Sequence, residues 1–199
     1  KAVLENLHKL KKPYIIHFTV TGMGGTEIEP NVDSYTTTLE YFKQVDLQHR
    51  ILRIDPIIPT KEGIQTAVNV LELYSQFITA EERIRISFLD VYPHIRAEMS
   101  KYFQLPTTFH YDYYSRKEAI DRLQSMVPNQ ISLCAEPGFI STGCITPIDL
   151  NLMQLNPADF NTEANHGQRP LCHCIAAKRE LLTSKHACSN GCLYCYWKK

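Results

Sequence analysis

Apolar positions along the chain change period repeatedly, and each change marks an element. Val3, Leu4, Leu7 and Leu10 recur at helical spacing, so the chain opens in a helix. Tyr14 to Gly22 (YIIHFTVTG) is rich in β-branched and aromatic residues and ends at glycine, which predicts a strand. Asp33 to Val45 follows as a helix, with Asp33 or Ser34 as N-cap and Leu39, Phe42 and Val45 on one face. Arg50 to Ile58 is a second strand, stopped by Pro56 and Pro59. A helix follows over Glu62 to Phe77, with Ile64, Val68, Leu71 and Tyr74 at helical spacing. Ile84 to Val91 (IRISFLDV) is a third strand, Ile95 to Phe103 a short helix, and Thr107 to Tyr113 either strand or loop. Ser115 caps a helix reaching Val127, Gln130 to Ala135 is a further strand, and a short helix lies near Ile148 to Leu155.

Strands separated by helices at this spacing read as βα units carrying a parallel sheet, with strands apolar on both faces. A complete eight-stranded barrel needs about 250 residues, and the chain has 199. The expected fold is therefore α/β, an open or partial (β/α) barrel of TIM type over residues 1–156. A polar stretch then leads into a cysteine-rich tail, giving a second region over residues 157–199, packed on the barrel mouth.

Composition narrows the function classes. The 21 Lys+Arg balance 21 Asp+Glu, and 44% of residues are hydrophobic, as in an ordinary globular protein. Zero net charge argues against a wholesale nucleic-acid binder. The closing run Tyr194, Tyr196, Trp197, Lys198 and Lys199 is too short to reverse that reading. No apolar run approaches ~18 residues, so no membrane span is expected. Seven cysteines, an odd number in a chain long enough to build a core, argue for thiols in a reducing cytoplasm rather than a disulfide scaffold. Five of them fall between Cys172 and Cys195, which points to metal.

Polar residues recur at the carboxyl ends of the expected strands, where βα folds build their sites. They are Thr19 and Thr21, Arg53 and Asp55, Ser87 and Asp90, and Cys134 and Glu136. Arg53, Asp55 and Glu136 are the candidates for catalysis or for holding a substrate; Thr21, Ser87 and Asp90 are candidates for cofactor contact. Arg53 and Asp55 share a strand face by the two-residue period, so they either hold a carboxylate- or hydroxyl-bearing ligand or neutralise each other. His17, inside the first strand, reads as a hydrogen-bonded core residue; His173, between two cysteines, and His186, just before the tail, are candidates to reach a metal.

The strongest chemical signal is CSNGCLYCYW, which spaces Cys188, Cys192 and Cys195 as C-x-x-x-C-x-x-C. Three thiolates on one tight loop, with Gly191 allowing a close wrap, suit a cluster that keeps one open iron. A structural zinc site more often pairs two C-x-x-C knuckles, and zinc stays as the alternative.

C-x-x-x-C-x-aromatic-C resembles the cluster motif of the radical S-adenosylmethionine enzymes, which use partial or full βα barrels. In those enzymes the motif follows the first strand, whereas here it lies in the last dozen residues. The whole chain is similar to an uncharacterised bacterial family, domain of unknown function 1848. The stretches that carry this similarity are HFTVTGMG…EIEPNV, ILRIDPII, ISFLDVY, LCAEPG, the CHC of Cys172 to Cys174, and CSNGCLYCYW. The resemblance implies a further N-terminal strand before Lys1. It also implies that Cys188, Cys192 and Cys195 each ligate one iron of a 4Fe–4S cluster whose open iron chelates S-adenosylmethionine. Such enzymes generate a 5′-deoxyadenosyl radical with an external electron donor and use it on substrate, here of unknown identity. Tyr194 takes the position that meets the adenine in that family, or else packs the tail onto the barrel. Because the last segment of a βα ring lies beside the first, a cluster loop moved to the end would still sit over the same mouth.

Setting the tail ligands aside leaves Cys134, Cys144, Cys172 and Cys174. Four thiolates would complete an auxiliary 4Fe–4S cluster or a zinc site; the third reading leaves them unligated. The alternative to an enzyme is a metal-binding protein whose zinc or closed cluster only holds the tail in place.

Overall fold

The computed structural model of the protein describes residues 2–7, 9, 12–160, 171, 173 and 188–197. Helix α1 spans Ala2–Leu7, and strand β1 spans Ile16–Val20. They are followed by α2 Tyr35–Phe42, β2 Arg50–Ile57, α3 Lys61–Ser75, β3 Ile84–Phe88, α4 Arg96–Met99, α5 Tyr113–Gln124, β4 Ile131–Leu133 and α6 Pro147–Leu152. The strands form one parallel sheet in the order β1-β2-β3-β4. Neither outer strand pairs with the other, so the sheet is open and no barrel closes among the described residues.

Several boundaries differ from the sequence reading, each for a local reason. Strand β2 runs through Pro56 rather than stopping there. The Asp55–Pro56 peptide is cis, and the register with β3 shifts between Ile54 and Ile57, where proline has no N–H to give the ladder. Of the two N-caps read for α2, Ser34 serves, as expected, its hydroxyl accepting from the Thr37 N–H. Asp112, not Ser115, caps α5: its carboxylate accepts from the Ser115 N–H at 3.0 Å and the Ser115 hydroxyl at 2.6 Å. The helix expected over Ile95 to Phe103 is a 3-10 turn at Pro93–Ile95 continued by the short α4. The ambiguous stretch before α5 is turn and loop, with the Phe109 carbonyl accepting from the Val91 N–H at 2.7 Å.

The expectation that the strands are apolar on both faces is wrong. Consecutive parallel strands joined by crossovers of one hand place their connecting helices on one side of the sheet. That side carries Phe18, Val20, Leu52, Ile54, Ile84, Ile86, Ile131 and Leu133. They pack against Leu39 and Phe42 of α2, Val70, Leu71 and Tyr74 of α3, and Ala119 and Leu123 of α5. The alternate positions face the other way and are mostly polar. Thr19, Arg53, Arg85 and Ser132 form one row across all four strands.

The face opposite α2, α3 and α5 is satisfied by ion pairs to the short α6 rather than by an apolar helix layer. Asp149 of α6 is fully buried and binds Arg83 Nη1 at 2.7 Å and Arg85 Nη2 at 2.5 Å. Arg83 Nη2 also donates to the carbonyls of Leu47, Gln48 and Arg50, and Arg85 Nη1 to that of Cys144. Thr146, the N-cap of α6, completes a capping box with Asp149. Burial works to raise the Asp149 carboxyl, but Arg85, Arg83 and Thr146 outweigh it and hold the group below its ordinary value. Its contribution to stability is thus present above the usual carboxylate range and lost as pH falls through the lowered value. Asp149→Ala, which takes the carboxylate from the buried Arg85 and from its neighbour Arg83, should cost about 3–5 kcal/mol, read as a lowered urea midpoint at neutral pH; a midpoint within error of wild type would show that this network is dispensable.

Candidate functional site

A second apolar cluster lies beyond the carboxyl ends of the strands. Met23 and Ile28 come from the loop after β1, Ile58 follows β2, Leu89 and Val91 follow β3, and Ile95, Met99 and Tyr111 come from α4 and its flanks. Leu193 and Tyr194 of the cysteine-rich tail pack against this cluster. The tail is therefore seated on the same end of the sheet as the loops that leave β1 and β3.

Polar contacts fix its position. The Leu193 N–H donates to the Ile28 carbonyl at 2.9 Å, and the Asn31 N–H to the Asn190 carbonyl at 3.3 Å. Asn31 Nδ2 donates to the Ser189 carbonyl at 2.8 Å. His94 Nε2 lies 3.1 Å from the Cys195 carbonyl oxygen. Gly191 adopts φ +71°, and a side chain there would press on Pro30, so this position needs glycine for both backbone and space.

The hub is Glu29, a buried carboxylate. It accepts from Thr21 Oγ1 at 2.6 Å and from the Tyr194 hydroxyl. Burial and the Glu29 carboxylate raise the Tyr194 phenol, which stays a donor at every physiological pH. Burial, then Glu29, also raises the Cys192 thiol. Sequence reasoning quoted Glu29 only within EIEPNV and gave it no role. The available signal was a lone acid between Ile28 and Pro30 in a long loop after a strand.

The other predicted residues at this end form separate groups. Arg53 Nη2 pairs with Asp55 Oδ2 at 2.7 Å, and Ser87 Oγ donates to Asp55 Oδ1. Asp90 Oδ1 lies 2.9 Å from His110 Nδ1. Glu136 accepts the Phe88 N–H at 2.8 Å and Arg116 Nη1 at 3.2 Å. Arg116 is a second residue the sequence reading missed; it is buried on α5, and its position on a polar helix face gave no sign of it. Thr19 is exposed on β1. The expectation for His17 needs correction: its Nδ1 is buried without a hydrogen-bond partner. Burial, then Arg85, lowers the ring to about 4 and keeps it neutral.

Among the cysteines, Cys188 is exposed while Cys192 and Cys195 are half-buried. The Cys195 N–H donates to the Cys192 carbonyl at 3.3 Å across a turn. Cys134 and Cys144 meet at 3.4 Å between sulfurs. Cys172, Cys174 and His186 lie outside the described residues. Among the described residues, no group of three or more His, Cys, Asp or Glu side chains is gathered to hold a metal ion. The tail cysteines sit on a backbone pinned on both sides of Cys192 by the Ser189 and Asn190 carbonyls and the Leu193 N–H.

A family model described as a domain of unknown function, DUF1848, matches residues 1–197. The chain belongs to this family. No curated protein and no solved structure matches. For this DUF1848 domain the match takes in the whole sheet and the docked tail, so the two form parts of one family unit. No helix among its described residues is long and apolar enough to cross a membrane.

Two outcomes test the geometry. Glu29→Ala should speed hydrogen exchange of the Leu193 amide about tenfold or more, because a hydrogen bond to a charged group is worth about 1.5–3 kcal/mol; unchanged exchange would mean that apolar packing alone holds the tail. Glu136 gives the second. Burial pushes its carboxyl up to about 7, against the lowering by the Phe88 N–H and Arg116. A raised carboxyl favours the folded state when protonated, so its contribution fades as pH rises from the ordinary carboxylate range through about 7. Glu136→Gln should therefore gain thermal stability relative to wild type between pH 5 and pH 8; a constant difference would rule out this titration.

Proposed function

We propose that this protein is an iron–sulfur protein in which Cys188, Cys192 and Cys195 hold a 4Fe–4S cluster over the carboxyl ends of a partial (β/α) barrel. On this reading it acts as a radical S-adenosylmethionine-type enzyme on a small molecule, with an external electron donor, in a reducing cytoplasm. The observation that carries the reading is the seating of the tail: Leu193 on Ile28 and Tyr194 on Glu29 bring a three-cysteine loop to the strand ends. The placing of α2, α3 and α5 on one side of the sheet supports the barrel-like part of the proposal, since a (β/α) barrel carries its helices as an outer ring.

When bound, the cluster would supply one electron for reductive cleavage of S-adenosylmethionine, and the remaining work falls to the chain. Leu193 and Tyr194 exclude water from the end of the sheet by packing on Met23 and Ile28. The Arg53–Asp55 pair, braced by Ser87, presents a fixed charge pair to a polar ligand. Glu136 is able to hold or release a proton near neutral pH, as a general acid or base must. Thr21 orients Glu29, and through it Tyr194.

Anaerobic reconstitution with iron and sulfide tests this. The expected product is brown, carries about four irons per chain, and loses most of that iron in each of C188S, C192S and C195S. With reductant and S-adenosylmethionine it should release 5′-deoxyadenosine. A colourless protein that takes zinc through the same three cysteines would establish the alternative, a metal-binding protein whose tail is only structural. A cluster-loaded protein that never forms 5′-deoxyadenosine would remove the enzymatic part alone.

A further inference from the structure

We infer that Cys134 and Cys144 form a reactive dithiol that closes to an intramolecular disulfide on contact with a small-molecule disulfide. This goes beyond the tail cluster and uses none of its ligands.

The two sulfurs are 3.4 Å apart, and a disulfide needs ~2.04 Å, so an approach of roughly 1.4 Å closes the bond. Backbone contacts hold the two segments side by side. The Cys134 N–H donates to the Ile86 carbonyl at 3.0 Å, extending β4 along β3, and the Thr142 N–H returns to the Leu133 carbonyl at 2.7 Å. Cys134 and Thr142 form a parallel bridge, which carries the chain back alongside the strand it left. Arg85, anchored on Asp149, donates to the Cys144 carbonyl and holds that end of the turn. Both thiols are thus positioned before any oxidation, and little loop entropy remains to be lost.

Their exposures divide the roles. Cys134 is buried, whereas Cys144 is partly exposed, so Cys144 meets the reagent. Its thiolate attacks one sulfur of a glutathione-type disulfide and releases one thiol. Cys134 then attacks the mixed disulfide at the Cys144 sulfur and releases the second thiol. One external S–S bond is broken and one internal S–S bond formed; the two protein protons end on the two released thiols. The closed bridge spans the turn that carries Glu136, whose N–H is already held by Ser141 Oγ at 2.8 Å.

The test uses the full chain purified under reductant, with its metal content measured, then exposed to oxidised glutathione and alkylated. Cleavage by chymotrypsin after Phe139 separates the two cysteines. The expected result is one pair of peptides, containing Cys134 and Cys144, that stays linked until reduced and is two hydrogens lighter than the sum of its parts. C134S should instead trap glutathione on Cys144, and C144S should form no bridge at Cys134. Four results would each overturn the inference: both thiols left open to alkylation, a stable glutathione adduct on wild-type Cys144, a link from either cysteine to Cys172 or Cys174, or both cysteines protected by retained metal. Since the readout is peptide linkage and not iron or turnover, it can fail while the tail cluster stands, and the reverse.

Discussion

A parallel sheet with α2, α3 and α5 all on one side must find other partners for its second face, and this requirement organises the protein. The buried Asp149 supplies the central answer. It takes two guanidiniums from β3 and its approach, Arg83 and Arg85, while its own backbone is fixed by the Thr146 cap. Such a network stabilises only when every member is present, because each lost partner leaves a charge in low dielectric. Arg85 also reaches the carbonyl of Cys144, so the same ion pair that satisfies the sheet places the thiol pair at its edge.

The opposite end of the sheet is organised differently. There the loops leaving β1 and β3 build an apolar cluster that the described strands and helices do not fill by themselves, and the tail supplies Leu193 and Tyr194. Glu29 converts this packing into a defined seat, since one carboxylate receives both the Thr21 and the Tyr194 hydroxyls. The three tail cysteines are carried to the strand ends by the contacts of Leu193, Tyr194 and the Ser189 and Asn190 carbonyls.

Much of this architecture was legible in the chain. Alternating strand and helix periods located the four strands of the described residues and the helices between them, and the cluster of thiols from Cys188 to Cys195 marked the tail as chemically distinct. The two-residue period put Arg53 and Asp55 on one face, where they do pair. Boundaries slipped where a cap or a missing N–H decided the matter, as at Asp112 and Pro56. The error about the sheet faces had one cause. Period alone says which residues share a side, but the reading took buried parallel strands to be apolar on both faces. Thr19, Arg53, Arg85 and Ser132 were visible as alternate polar positions all along.

The sequence by itself determined the order of the elements and the parallel connection, because these depend on local period and capping. Only the tertiary structure decided that Glu29 would meet Tyr194 from the far end of the chain, that Asp149 would bind two arginines of β3 and its approach, and that Cys134 would lie against Cys144. Each of those contacts joins residues that no period links, and each exists because burying a polar or reactive group leaves it to be satisfied by whatever the fold brings near.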